Sequence, residues 1–455
     1  MMKRTLLRNG IIVTASDQFL GDLLIEDGKI AAIGKELKLE ADKVIDAAGK
    51  YIFPGGIDAH IHMDVLCSDG SVSAGYDTDS VAAAVGGTTT ILDYVIQEKG
   101  NSLLETANLW KDHAKQSAID YGFHLIITQP NDTSPQELDT LVEQGITSFK
   151  LFMANQIAMS DKELFNMMKE LKKRGCTAAI HAENKDIIAT LQAEYVAQGK
   201  TSPAYHGKTR PELTEVEAIN RAITLAELTG CPTLIAHIST AKGLQLVQEA
   251  KARGVQVYAE SCPHYLLLSD ENYNLEGYES AKFVLSPPLR SSENFNGLWQ
   301  GMLNGAVDII SSDHNGFSYS THKQLGQDDF RKIPNGAPSI EHRFGLIYSY
   351  GLEKGMDPCR FVELVSTNPA KIFGLYPQKG TISPGSDADL VIFDPEAEHV
   401  ISAETQYQKS DYTPYEQRRL QGKVDTVLLR GECIVKEGKY VSGLDYGQYL
   451  KRSTR

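Results

Sequence analysis

The chain has little tryptophan and little cysteine, two and six residues respectively in 455. Its cysteines stand at 67, 176, 231, 262, 359 and 433, a scatter that excludes both a disulfide framework and a thiolate zinc knuckle. Long apolar runs are missing as well. The uncharged stretch 80–92 is too short and too polar to span a bilayer. After Lys3 and Arg4, an apolar stretch is interrupted at Arg8, Asn9 and Gly10 before a signal-peptide core can form. Basic charge is in deficit, 45 Lys and Arg against 59 Asp and Glu, for a formal charge of -14. That balance argues against a nucleic-acid partner, which wants a basic surface. What remains is ordinary globular composition, 42% hydrophobic and 23% charged. The expectation is an acidic cytoplasmic protein with neither a membrane nor a nucleic-acid partner.

The two ends of the chain resemble each other. Leu6, Leu7, Arg8, Asn9, Gly10, Ile11, Ile12 and Val13 are echoed by Leu428, Leu429, Arg430, Gly431, Glu432, Cys433, Ile434 and Val435. A turn follows each, at Asp27-Gly28 and at Glu437-Gly438. This pattern predicts one small β-sandwich domain assembled from 1–53 and 377–442, with a tail at 443–455 that is a candidate oligomer contact. Between 54 and 376 the texture becomes strand, loop, helix, repeated. Strands are predicted at 51–61, 88–95, 121–128, 148–154, 177–182, 233–238, 255–261 and 307–312. The best helix is 161–174, where Ser160 caps, Glu163 completes a capping box and Leu164, Met167, Met168 and Leu171 share a face. Eight strands alternating with helices predict an α/β fold, a (β/α)8 TIM barrel. An open doubly wound sheet is the weaker alternative, because no glycine-rich phosphate loop follows the first strand.

Barrel strands deliver their C-terminal residues to the active-site mouth. Read in order, those ends carry His60 and His62, Asp93, His124, Lys150, His181, His237, Glu260 and Asp313. A barrel built for stability alone has no use for so many buried ionisable groups. Chance alone gives ~0.3 histidine pairs two apart in such a chain, so His60 and His62 mean little by themselves. On a strand, however, residues two apart face the same side. His181 or His237 singly reads as a satisfied core histidine; four histidines at matching strand ends read as metal ligands. Asp313 is open to three roles, as a helix cap, a ligand or a general base. Lys150 inside an apolar strand must be paired or neutral. His206, His264 and Cys262 read as structural, and His124, Asp93 and His314 as either structural or supporting.

Several stretches belong together: Phe53-Pro54-Gly55-Gly56-Ile57-Asp58-Ala59-His60-Ile61-His62, Gly86-Gly87-Thr88-Thr89-Thr90, Ser148-Phe149-Lys150-Leu151-Phe152, Leu285-Ser286-Pro287-Pro288-Leu289-Arg290, Ser312-Asp313-His314 and Pro384-Gly385-Ser386-Asp387-Ala388-Asp389-Leu390. In these the chain resembles the cyclic amidohydrolases of the amidohydrolase superfamily, and within them the dihydropyrimidinase and hydantoinase branch. The resemblance implies two divalent metal ions, usually zinc, with His60, His62 and Asp313 on one and His181 and His237 on the other. It implies that Lys150, carboxylated by CO2 to N6-carboxylysine, bridges them. It further implies a metal-bridging hydroxide that opens a cyclic amide or imide to an N-carbamoyl amino acid, with Asp313 as proton shuttle. Ser286 and Asn335 match positions that hold the substrate ring, and the family implies a homotetramer.

One departure concerns specificity. Where the branch usually has an oxyanion-binding tyrosine, five residues after the bridging lysine, this chain has Asn155. Alternatives within the resemblance are an allantoinase-like or L-hydantoinase-like enzyme, or a non-enzymatic scaffold related to dihydropyrimidinase. The arginine that dihydroorotases and allantoinases carry shortly after the histidine pair is missing from 63–70, and the scaffolds have lost metal ligands that are present here.

Overall fold

A computed structural model describes residues 3–98 and 100–454. The terminal segments form one nine-stranded sheet. Strand Arg4–Val13 pairs antiparallel with Gln18–Glu26 and parallel with both Lys43–Asp46 and Tyr51–Pro54. Tyr51–Pro54 also pairs with Leu390–Val400, setting Ile52 opposite Ile392, and so joins the two ends of the chain. Leu7, Ile12, Leu23, Ile25, Ile52, Leu390, Ile392 and Leu428 fill a core of its own.

The predicted first barrel strand, 51–61, divides in two. Tyr51–Pro54 stays in the terminal sheet, and Gly56–His62 opens the barrel. Gly55 lies at the division, against Thr89, where a Cβ would come within 2.1 Å of the threonine Oγ1. Only glycine lets the backbone pass so close. From there the barrel runs through Thr88–Ile96, Asp120–Ile126, Ser148–Phe152, Thr177–His181, Thr233–Ile235 and Val257–Ser261, all parallel to their neighbours. The eighth strand is broken. Ile309–Ile310 pairs with Val257–Ser261, while His314–Asn315 pairs with Gly56–His62, so the interrupted strand closes the ring. The break falls at Asp313, which takes a left-handed φ of 48°. His237 departs in the same way, at φ 39°, which ends its strand at Ile235 instead of the expected 238.

Helix Asp161–Lys173 forms as its sequence predicts. Ser160 and Glu163 make the reciprocal capping bonds, and Leu164, Met167, Met168 and Leu171 are all buried. Among the described residues no helix is long and apolar enough to cross a membrane.

The tail, a candidate oligomer contact, packs along its own barrel. Its backbone bonds to Ser117, Tyr121, Gly145 and Gly374, and Tyr449 bridges to Tyr121. Unpaired main-chain groups at the base of the barrel are thereby satisfied. Arg452 is buried there and donates to Phe123 O and, at 2.7 Å, to Ser148 Oγ. Ser148 in turn bonds His124 Nδ1 at 2.5 Å, and His124 Nε2 lies 3.1 Å from Ala59 O. A polar column thus rises from the tail to the strand that carries His60. His124 is therefore a supporting residue in mid-strand, two positions short of the end where the sequence pattern put it.

The two folding units are locked by charge. Lys379 Nζ lies 2.5 Å from Asp120, 2.7 Å from Asp389 and 3.0 Å from Asp387, and Arg430 also pairs with Asp120. Burial disfavours the ammonium, yet the three carboxylates raise the Lys379 pKa well above its ordinary value. Two of them belong to the Pro384–Leu390 motif, whose work here is to bind the terminal sheet to the barrel. Removing the cation leaves Asp389 without its cationic partner, and Asp120 and Asp387 with only Arg430 and Lys29 respectively. Lys379→Met is therefore expected to cost about 3–5 kcal/mol. A thermal midpoint unchanged from the parent would show that the lock carries no stability.

Candidate metal centre

The strand ends converge as the barrel geometry requires. His60 Nε2 and His62 Nε2 lie 3.3 and 3.4 Å from the same Asp313 oxygen. His181 Nδ1 and His237 Nε2 face each other at 3.0 Å. Lys150 sits with them, fully enclosed, and its Nζ has no hydrogen-bond partner. The nearest aromatic face is Tyr94, with the amine 4.5 Å from the ring centroid. All six residues line one cavity of ≈ 160 Å³ together with Asn155, Ser286 and Asn335.

Electrostatics at the centre follow from burial. It lowers the Lys150 amine to about 8, against the pull of Glu260 and Asp313. It also pushes His62, His181 and His237 below the ordinary imidazole value. For Asp313 burial acts the other way, but His60, His62 and His237 hold its carboxyl well below the usual range. Lone pairs on imidazoles, an ionised carboxylate and an unpartnered amine form a donor set suited to divalent cations. His60, His62 and Asp313 bring their ligand atoms within 4.8 Å of one another. The left-handed backbone at His237 and Asp313 costs about 1–3 kcal/mol each, a strain typical of functional positions. Cys262, His264 and Asp313 form a second group within the same distance. Burial raises the Cys262 thiol well above its ordinary value and lowers His264 to about 4. Neither Cys262 nor His264 lines the cavity that the six residues share, in keeping with a structural role.

Two of the histidines are oriented from behind. Glu260 Oε2 lies 2.7 Å from His60 Nδ1 and accepts the backbone N–H of His237. Glu183 Oε2 lies 2.8 Å from His181 Nε2 and takes Arg210 NH1 at 2.6 Å. Burial opposes charge on Glu183, yet Arg210 and His181 bring it to about 2. Arg210 NH2 donates to Asn155 Oδ1 at 3.1 Å, and among the described residues the asparagine amide nitrogen has no partner. Asn155 has a φ of 66°, a conformation asparagine tolerates better than most residues.

Sequence reasoning missed Glu183, Arg210 and the role of Glu260. Glu183 stands two residues after His181, a spacing that was there to be read; Arg210 carries no local signal. Ser286 Oγ donates to Asn335 Oδ1 at 2.8 Å, so these two candidates do meet. Their loops are clamped by Lys323, which donates to the carbonyls of Val284, Pro334 and Gly336 at 2.9, 2.6 and 2.7 Å. Asp93 accepts from the Tyr76 hydroxyl and from Met63 N, fixing the chain beyond His62; burial lifts its carboxyl to about 8. His314 turns away toward Asp79, at 2.7 Å. His206 bonds Leu285 O at 2.7 Å, as a structural residue would.

A barrel whose strand ends gather four histidines, an aspartate and a buried lysine defines a class of metal-dependent hydrolases. Residues 51–434 match the amidohydrolase family. The chain is 42% identical to a D-hydantoinase of Streptomyces coelicolor, across all of this chain and 99% of that one. To the D-hydantoinase of Ralstonia pickettii it is 44% identical over 98% of each. Among solved structures, dihydropyrimidinase from Brevibacillus agri superposes with a TM-score of 0.97 at 42% identity, covering 99% of both chains. L-hydantoinase from Arthrobacter aurescens gives 0.91 at 31% identity over 99% of this chain and 100% of that one. The chain belongs to the amidohydrolase family.

Glu260→Gln keeps the shape behind His60 but removes the carboxylate. It is expected to weaken metal retention about 10–100-fold, measured as metal per chain after dialysis. Full retention would mean that His60 is held by other contacts.

Proposed function

We propose that this protein is a metal-dependent cyclic amidohydrolase that opens dihydropyrimidines and 5-substituted hydantoins to N-carbamoyl amino acids. The observation that carries the reading is the set of five ligand-type side chains around the unpartnered amine of Lys150. The D-hydantoinases at 42–44% identity support the substrate class and favour the D-enantiomer. On this reading His60, His62 and Asp313 would hold one ion and His181 and His237 the other, with Lys150, as its carbamate, shared between them. An amine brought down to about 8 is partly neutral near pH 7, the form that takes up CO2. Two divalent cations, zinc on this reading, supply a Lewis acid for the carbonyl oxygen and water acidified toward neutral pH.

The chain's own residues do the rest. Asp313 accepts the proton of the attacking water and returns it to the ring nitrogen as the C–N bond breaks. Backbone groups at Ser286 and Asn335 align the cyclic amide. Asn155, its carbonyl held by Arg210, turns its amide N–H toward the carbonyl oxygen as negative charge develops there. The same reading extends to a homotetramer in the cytoplasm, which rests on the family resemblance.

Two measurements test the scheme. Lys150→Ala is expected to lose metal and ring opening together, as chelator treatment of the parent would; a variant retaining both would remove the bridge. Asn155→Gly keeps the left-handed backbone and deletes the donor. The loss expected in kcat is about 10²–10³-fold, and unaltered kinetics would place Asn155 outside the reaction.

A further inference from the structure

One polar side chain in the metal-centre cavity has no role in the reaction above. Asn315 follows Asp313 by two residues, on the short strand His314–Asn315 that closes the ring, and lies opposite His62. It is 7% exposed and lines the ≈ 160 Å³ cavity. Among the described residues neither its Oδ1 nor its Nδ2 has a hydrogen-bond partner. The other carboxamides of the cavity are engaged. Asn335 accepts Ser286 Oγ at 2.8 Å and donates to Ile333 O at 3.0 Å, and Asn155 accepts from Arg210.

The free carboxamide is held in place by its neighbours. Asn315 N donates to Ala337 O at 3.1 Å, and Gly336 packs directly on the side chain. A Cβ at 336 would come within 2.5 Å of Asn315 Nδ2 and 2.6 Å of its Cγ, and φ there is 131°, so the position requires glycine. Lys323 fixes the same loop through Gly336 O at 2.7 Å. A buried carboxamide with donor and acceptor both unmet carries a desolvation cost. The group that removes it presents an acceptor and a donor side by side, which is a –CO–NH– edge. Asn315 lines the inner cavity alone, whereas the ≈ 700 Å³ cavity outside it is lined by Asn155 and Asn335 and not by Asn315. The edge it meets therefore belongs to the ring and not to an exocyclic substituent.

We infer that Asn315 reads the ring edge that is not cleaved, accepting the N1–H and donating to the C2 carbonyl, so that the site selects cyclic ureides over plain cyclic imides. The inference rests on the hydrolase reading above and narrows its substrate class. The bond broken is still that between N3 and C4, and Asn315 takes no part in the proton transfer. A contact made equally before and during ring opening is uniform binding, which is felt in KM and not in kcat.

The test compares hydantoin with succinimide, in which CH2 replaces the N1–H within a ring of the same shape, on the metal-loaded full chain. Asn315→Ala and Asn315→Leu are expected to shrink the hydantoin-to-succinimide ratio of kcat/KM about tenfold. The change should come from a raised KM for hydantoin, with metal per chain unaltered. Intrinsic differences in reactivity between the two rings cancel, because the ratio is compared between parent and variant. A ratio that the substitutions leave alone, with metal retained, overturns the inference while leaving ring opening intact. A ratio that falls only together with metal content overturns it too, because Asn315 then acts through Asp313. The parent offers a check that needs no variant: 1-methylhydantoin lacks the N1–H, and a KM equal to that of hydantoin would overturn the inference. Opening of no hydantoin by the parent, 5-substituted ones included, removes the hydrolase reading itself, and this inference with it.

Discussion

Taking an ammonium out of water costs free energy that only nearby acceptors can offset, and the surroundings of its buried lysines organise this molecule. Lys150 is the case on which the rest depends. It stands inside the barrel with no hydrogen-bond partner, over the face of Tyr94 and among four imidazoles. The pull of Glu260 and Asp313 does not outweigh its burial, which brings the amine down to about 8. The flanking histidines and Asp313 are of the types that hold cations.

Two other buried lysines show what satisfied ones look like. Lys379 is surrounded by three aspartates and joins the terminal sheet to the barrel. Lys323 has only carbonyl acceptors, three of them, and ties the loop before Ser286 to the loop around Asn335. Carboxylate acceptors make a structural lock and carbonyl acceptors a loop clamp. The unpartnered amine marks the candidate metal centre. Behind that centre Glu260 and the Glu183–Arg210 pair fix the imidazoles, and a column of Arg452, Ser148 and His124 supports the strand of His60 from below. These contacts hold the left-handed backbone at His237 and Asp313 against its strain.

Much of the centre was legible before any coordinates, and the reason is local. Barrel strands present their last residues to one mouth, so a histidine, lysine or aspartate that ends an apolar run announces itself. His60 and His62 share a face through the two-residue period of a strand, and the capped helix at Ser160 follows from four residues of context. The eighth strand was less legible. Its break at Asp313, and its division between two neighbours, arise because it must pair on both edges to close the ring.

What the sequence determined by itself was therefore the type of each donor, its strand and the order of strands, because periodicity and turn chemistry act over a few residues. Tertiary structure alone decided which groups orient those donors. It joined Glu260 to His60 across 200 positions and Arg210 to Asn155 across 55. It turned the tail inward, because carbonyls and amides at the barrel base needed partners that only residues near 447–453 supply. It also paired Arg210 with Glu183 across 27 positions. Composition reports only the sum of charge, whereas the folded chain decides which charges meet.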